Sequence, residues 1–338
     1  MSAASLSLSA QPVLEVNDLR KHFAVAGGGP GRAAGLLRAV DGVSFSLARG
    51  ETLSLVGESG CGKSTVAKTI LRLLAPTSGQ VVLAGRRIDD LTLSRLRPLR
   101  RRIQMVFQDP FSSLNPRMPV RDSIAEPIRN FRLARGRSDL EARLLRLMDR
   151  VGLPADALGR YPHEFSGGQR QRIGIARALA AEPDVIVCDE AVSALDVSVK
   201  AQIVNLLMDL QKDHGIALLF ISHDLAVVEH MTHHVAVMYL GRIVETGSRE
   251  ALFETPRHPY TRALLSAVPV PEPAANRARI VLKGDVPSPI APPAGCSFHT
   301  RCPSCIERCR TEEPPLTALP GGGAVACHLA GAEGAAHA

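Results

Sequence analysis

The sequence predicts a parallel, three-layer α/β fold with an appended C-terminal extension, and three observations carry that reading. Short apolar runs at Thr52 to Val56, Val185 to Cys188 and Ile216 to Ser222 alternate with stretches of helical periodicity, the pattern of strands buried on both faces by crossover helices. The first run feeds directly into a glycine-rich turn and then a helix beginning near Gly62. Beyond Gly247 the composition changes: proline is dense from Pro256 to Pro293, and five of the seven cysteines fall between Cys296 and Cys327. The 338 residues therefore divide near residue 255, into a main domain of 1–254 and an extension of 255–338.

Along the chain, Val13 to Phe23 alternates as a strand, and the Gly/Ala-rich stretch from Ala24 to Leu37 reads as a long loop or insertion. Alternation resumes at Val40 to Leu47. Residues 81–88 read as a hairpin around Gly85, which implies a small antiparallel sheet beside the parallel one. The segment 112–165 is helical: Ser138 and Glu141 fit a capping box, and Leu140, Leu144, Leu147, Met148 and Val151 keep one face apolar. A helix from Ser166 to Ala181 stops at Pro183, and another carries Ile203, Leu206, Leu207 and Leu210 on one face and ends near Gly215.

Composition narrows the function. With no Trp and only 3 Tyr, the aromatic platforms on which single-stranded nucleic acid stacks have little material, and nucleic acid is not an expected partner. A net charge of +7 suits a phosphate ligand or an anionic membrane face, although the Arg-rich stretches 95–102 and 129–150 read equally as solvated faces. The N-terminus has no positive leader, and nowhere do about 18 consecutive apolar residues occur. The expected compartment is the cytoplasm, where spaced thiols more often hold metal than form disulfides.

Gly57-Glu58-Ser59-Gly60-Cys61-Gly62-Lys63-Ser64-Thr65 carries the spacing of a phosphate-binding loop between a strand and a helix. Its glycines let backbone N–H groups close around a phosphate at the helix's positive end, Lys63 neutralises phosphate oxygens, and the Ser64 hydroxyl can ligate Mg²⁺. Asp189 and Glu190 end an apolar strand. In isolation two such acids are caps or turn residues; beside a phosphate loop, Asp189 is placed to hold Mg²⁺ and Glu190 to orient or deprotonate a water.

Phe165-Ser166-Gly167-Gly168-Gln169 lies between these motifs, and here the chain resembles the ATP-binding-cassette family, whose signature usually has Leu where Phe165 stands. The resemblance covers about residues 13–250 and implies a RecA-like P-loop NTPase core with ATP and Mg²⁺ bound. It implies that Ser166 to Gln169 close over the γ-phosphate of a partner ATPase, so that hydrolysis needs a dimer. Gln108 fits a loop that contacts Mg²⁺ and the lytic water and faces a membrane partner. Asp196, in Ser193 to Asp196, fits a loop across the dimer interface, and His223 a residue touching the γ-phosphate. A lone His after a strand is otherwise structural. Phe23 resembles the aromatic residue that stacks on adenine, with a core Phe as the alternative.

Residues 109–117, 161–172 and 256–264, and the segment from Pro287 to Pro303, are similar to the oligopeptide/dipeptide importer subfamily, which includes nickel importers. The insertion before Val40 is similar to the second of the two unlike ATPases in such importers. This implies a second ATPase subunit, two permeases and an extracytoplasmic peptide-binding protein as partners, with the chain peripheral on the cytoplasmic face of the membrane. A soluble cassette ATPase of translation or repair is the rival reading. Cys296, Cys302, Cys309 and Cys327 are spaced to hold a Zn²⁺ or an iron–sulfur cluster, or to stand as unliganded buried thiols. The subfamily resemblance favours a [4Fe-4S] cluster; Cys305 is an extra thiol.

Overall fold

The computed structural model describes residues 11–25, 35–268 and 280–330. Among them the strands are β1 (Pro12–Val25), β2 (Gly35–Ala48), β3 (Thr52–Val56), β4 (Ser78–Leu83), β5 (Arg86–Arg87), β6 (Ile103–Val106), β7 (Val185–Asp189), β8 (Ala217–Ser222), β9 (His234–Tyr239), β10 (Arg242–Ser248), β11 (Thr317–Ala318) and β12 (Ala324–Val325). One sheet has the order β11-β12-β10-β9-β3-β8-β7-β6, and its central strands β9, β3, β8, β7 and β6 run parallel. β3, β7 and β8 are buried at every residue, which is why they read as continuous apolar runs instead of alternating ones. The second sheet, β2-β1-β4-β5, is antiparallel. Its β4–β5 hairpin turns at Ala84 and Gly85, both with positive φ, as a two-residue turn of this hand requires.

Two local expectations are corrected. The stretch from Ala24 to Leu37 is not wholly a loop: Phe23, Ala24 and Val25 pair with Leu37, Leu36 and Gly35, so the hairpin ladder runs into it and leaves only residues 26–34 outside the described ones. Backbone pairing with a neighbour asks nothing of Gly or Ala side chains, so composition gives no warning of it. The capping box at Ser138 does not form. The helix Arg137–Arg150 starts from Gly136 at φ 127°, which places Ser138 inside the first turn, while Glu141 is taken up by Arg121 at 2.9 Å. Its apolar face forms as expected, with Leu144, Leu147, Met148 and Val151 buried.

The helices Val120–Asn130 and Arg137–Arg150 lie within the segment 112–165 expected to be helical and pack against the helix Gly167–Leu179. The helix Val197–His214 ends at Gly215 in the left-handed conformation, as its glycine allows.

The extension shares its core with the main domain. The residue 255 boundary falls at the end of the helix Arg249–Glu254, yet β12 pairs with β10, and Phe298, 1% exposed, meets Tyr239 and Tyr260 at ring-centroid distances of 5.2 and 5.3 Å. The buried Glu245 of β10 accepts backbone N–H bonds from Arg257 (2.6 Å) and His258 (3.0 Å), fastening the start of the extension to the sheet. A proline-rich segment that cannot bury enough surface alone thus packs its own Phe298 and Tyr260 on Tyr239 of the main domain.

His258, 1% exposed, caps the helix Pro259–Ser266 through its Nδ1, and burial holds its imidazole down to about 4 from an ordinary 6.5. In the unfolded chain it takes a proton as pH falls through 6.5, whereas in the folded chain it does so only near 4, so its contribution to stability is complete above 6.5 and lost toward 4. Denaturant melts should show the margin of wild type over His258→Asn shrinking by up to about 3 kcal/mol across that window. A margin independent of pH would contradict the assignment.

Candidate active site

The carboxyl ends of the parallel strands form one edge, where ligands of open α/β sheets bind. After β3 comes the phosphate loop, after β6 Gln108, at the end of β7 Asp189 with Glu190 next to it, and after β8 His223.

The loop is shaped by close backbone approach. A Cβ on Gly57 would stand 2.2 Å from the Met238 carbonyl oxygen, and one on Gly62 2.0 Å from that of Ala39, with φ of 150° and 108°. Only glycine fits either place. Ser59 and Gly60 are exposed, whereas Cys61 is buried and its thiol is pushed up by burial. The helix Lys63–Ile70 has Gly62 as its N-cap, no side-chain cap and no acidic residue in its first turn. Its first N–H groups and positive dipole end are therefore available to an anion.

Lys63 is buried and its Nζ donates to the carbonyls of Gly57 (2.8 Å) and Glu58 (2.9 Å). Ser64 Oγ donates to Asp189 Oδ1 at 2.8 Å. Burial raises the Asp189 carboxyl above its ordinary range, Ser64 opposes this and Glu190 reinforces it. An acid under that strain gains from a cation placed against it, and the Ser64–Asp189 pair supplies two oxygens for one.

Glu190 has φ of 49°, uncommon for a residue with a side chain. Ser193 N and Oγ donate to its carbonyl at 3.1 and 2.9 Å, and its own N–H donates to Ile221 O at 3.0 Å, so three bonds hold the unfavourable conformation. The turn aims the carboxylate between Gln108, whose Nε2 donates to Oε2 at 2.9 Å, and His223, whose Nδ1 stands 3.5 Å from Oε1. The Glu190 side chain is 15% exposed and that of His223 55%, so the carboxylate is largely withdrawn from solvent and the imidazole lies at the surface. A partly desolvated carboxylate held on both sides suits proton abstraction from a water, or its orientation.

The sequence matches the ABC transporter family over residues 40–193 and the oligopeptide/dipeptide transporter C-terminal region over residues 244–309. It is 57% identical over 327 residues to a probable peptide ABC transporter ATP-binding protein of Sinorhizobium fredii, covering 96% of this chain and 92% of that one. It is 51% identical to the oligopeptide transport ATP-binding protein AppF of Bacillus subtilis, covering 94% of this chain and 98% of that one. The chain belongs to the ABC transporter ATP-binding proteins. Among solved structures, cbiO1 of Clostridium perfringens, part of an ABC transporter complex, superimposes with a TM-score of 0.62 at 27% identity, over 72% of this chain and 92% of that one. A bacterial ABC transporter cassette in its dimeric structure does so with the same score and identity, over 70% and 98%.

In this ABC ATPase the remaining sequence-selected residues stand on other elements than the phosphate loop. Ser166 caps the helix Gly167–Leu179: its Oγ accepts from Gln169 N at 3.3 Å while Gln169 Oε1 accepts from Ser166 N at 3.0 Å. A Cβ on Gly168 would meet Val199 Cγ1 at 2.3 Å, so that glycine lets two helices touch. Phe165, in place of the usual Leu, is buried beneath the Arg160 guanidinium. Among the described residues no hydrogen bond or ion pair joins 166–169 to 57–65. Asp196 caps the helix Val197–His214 by accepting from Val199 N at 3.0 Å. Phe23 is half-buried on β1, with Lys21 Nζ 4.8 Å from its ring centroid.

Cys296, Cys302, Cys309 and Cys327, four of the extension's five cysteines, are near enough to act on one another's charge, and burial pushes the Cys296 and Cys302 thiols up to about 11 and raises that of Cys327 as well. Cys296 N donates to Cys309 O at 2.8 Å, yet among the described residues no group of three or more His, Cys, Asp or Glu is arranged to hold a metal ion.

Sequence reasoning missed Glu58, Tyr260 and Arg301. Tyr260 Oη accepts from Glu58 N at 2.8 Å, and Arg301 grips the Glu58 carboxylate at 2.6 and 3.0 Å. Glu58 occupies a position the loop motif leaves free, and its partners are about 200 residues away; the only signal was that both lie in the quoted segments of the extension.

Gly62→Ala should weaken ATP binding at least about tenfold, since the left-handed conformation alone costs about 1–2 kcal/mol and the contact with Ala39 adds to it. Titration with a fluorescent ATP analogue checks this; unchanged affinity would remove the argument from close approach.

Proposed function

We propose that this chain is the ATP-hydrolysing subunit of an importer for dipeptides or oligopeptides, working at a dimer interface and driving partner permeases. The observation that carries the hydrolytic part is the Glu190 carboxylate, held between Gln108 and His223 beside Lys63 and the Ser64–Asp189 pair. The match of the extension to the oligopeptide/dipeptide transporter region carries the cargo class.

In this reading Lys63 exchanges its two carbonyl partners for β- and γ-phosphate oxygens of ATP. Ser64, Asp189 and Gln108 hold Mg²⁺, which neutralises charge on the transferring phosphoryl group when bound. Glu190 orients the attacking water and accepts its proton as the bond from the γ-phosphorus to the bridging oxygen breaks. His223, at the surface, meets the γ-phosphate, and Phe23 stacks on adenine once Lys21 moves aside.

Ser166, Gly167, Gly168 and Gln169 complete the site of a second ATPase subunit, and Asp196 lies across that interface. Their place on a different element from Lys63's own loop and the exposure of Ser166 and Gln169 support this, as does the dimer in which a related cassette was solved. A second, unlike ATPase, two permeases and a peptide-binding protein make up the proposed complex.

The chain sits peripherally at the cytoplasmic face. Among the described residues no helix is long and apolar enough to cross a membrane. A groove of about 300 Å³ between the core and the helical segment, lined by Leu71, Leu73, Gln104, Phe107, Glu126 and Phe131, adjoins Gln108 and is the proposed permease contact. The boundary near residue 255 separates the catalytic cassette from the extension in function, although the two share a core.

Glu190→Gln keeps the hydrogen bond to Gln108 but removes the proton acceptor. It should lower turnover by about 10²-fold or more and trap an ATP-bound dimer, read by phosphate release and by size-exclusion chromatography with ATP. Unimpaired turnover would refute the role.

A [4Fe-4S] cluster or Zn²⁺ on Cys296, Cys302, Cys309 and Cys327 is supported by spacing and mutual proximity. Iron, sulfide and zinc analysis of anaerobically purified protein decides it: stoichiometric metal supports the site, and metal-free, fully folded protein removes it.

A further inference from the structure

The extension touches the nucleotide site at its two ends. At the phosphate end, the side chain of Arg301 is 8% exposed and closes two hydrogen bonds on the Glu58 carboxylate, 2.6 and 3.0 Å long, while the Tyr260 hydroxyl accepts the Glu58 backbone N–H. Phe298, three residues before Arg301, packs against both Tyr239 and Tyr260, which also touch each other. At the other end, Pro289 O accepts from Arg38 N at 3.2 Å, and Glu313 pairs with Arg242, which in turn donates to the buried Asp41 at 2.7 Å. These contacts fall on the β1–β2 hairpin that bears Phe23.

The phosphate-end contact reaches Lys63 directly. Lys63 Nζ is placed by two carbonyls, those of Gly57 and Glu58, and the peptide that carries them is held from outside by Tyr260 and Arg301. Charge adds a second effect. Glu58 is an acid within a loop that must accept a polyphosphate, and its carboxylate would repel that ligand unless neutralised. A bidentate guanidinium, withdrawn from solvent, neutralises the carboxylate.

We infer that Arg301 and Tyr260 are positioning residues for ATP: the C-terminal extension pre-forms the phosphate loop and screens Glu58, so that ATP affinity depends on a segment outside the catalytic cassette. The inference rests on the assignment of residues 57–65 to the nucleotide phosphates.

The test compares full-length Arg301→Met, Arg301→Met/Glu58→Gln, Tyr260→Phe and Lys63→Ala by ATP·Mg²⁺ titration and by thermal melting, with turnover read in the assembled transporter. Arg301→Met should weaken ATP binding and raise KM about tenfold, with kcat at saturating ATP within about twofold, because Glu190 and His223 stand on other strands. Removing the unscreened acid in the double variant should restore most of the affinity, which a merely structural role would not do. Tyr260→Phe, which keeps the aromatic packing, should weaken binding several-fold at an unchanged melting temperature, and it carries the test should Arg301→Met not fold. Wild-type affinity in both single variants, or a loss in Arg301→Met that Glu58→Gln does not relieve, overturns the inference. Lys63→Ala separates the two readings: if it retains wild-type ATP binding, the nucleotide site is misassigned, whereas loss of binding there with Arg301→Met unaffected refutes the extension's role alone.

Discussion

The close approach of three backbone segments at the phosphate loop is the constraint on which this molecule depends. Gly57 lies against the Met238 carbonyl and Gly62 against that of Ala39, so the loop is wedged between the end of β9 and the start of the antiparallel sheet. Gly241 N–H donates to Cys61 O, and Asp41 N–H to Gly241 O, which links the β9–β10 turn, the loop and β2 into one hydrogen-bonded stack. A loop so confined presents its N–H groups without further ordering when an anion arrives, and that saved entropy appears as affinity.

The chemistry then follows from strand order. Because β8 lies between β3 and β7, and β6 beyond β7, the residues that end these strands meet along one edge although they are spread from Ser64 to His223. Glu190 needs one thing more, a left-handed backbone, which Ser193 and Ile221 hold in place. Conformational cost at a functional residue is a frequent companion of catalysis; here the hydrogen bonds to Ser193 and Ile221 maintain it.

The extension is neither a free tail nor a separate domain. Phe298 fills the space beside Tyr239 and Tyr260, β12 extends the main sheet, and Gly323 passes so close to Thr246 that a Cβ would stand 2.3 Å from its carbonyl oxygen. The same packing that stabilises the extension delivers Arg301 to Glu58, so its stability and its influence on the phosphate loop have a common source.

The sequence by itself determined the parallel core, the phosphate loop and the order of Gln108, Asp189, Glu190 and His223, because buried strands and anion-binding turns need particular residue types at short range. Ser166 and Gln169 were legible for the same reason: a helix start is a local event. Only the tertiary structure decided that Ser138 lies inside a helix instead of capping one, that Lys21 stands over Phe23, that burial raises the Cys296, Cys302 and Cys327 thiols, and that Arg301 reaches Glu58. Each of these depends on which distant surface a side chain meets, and no period or spacing in the chain encodes that meeting.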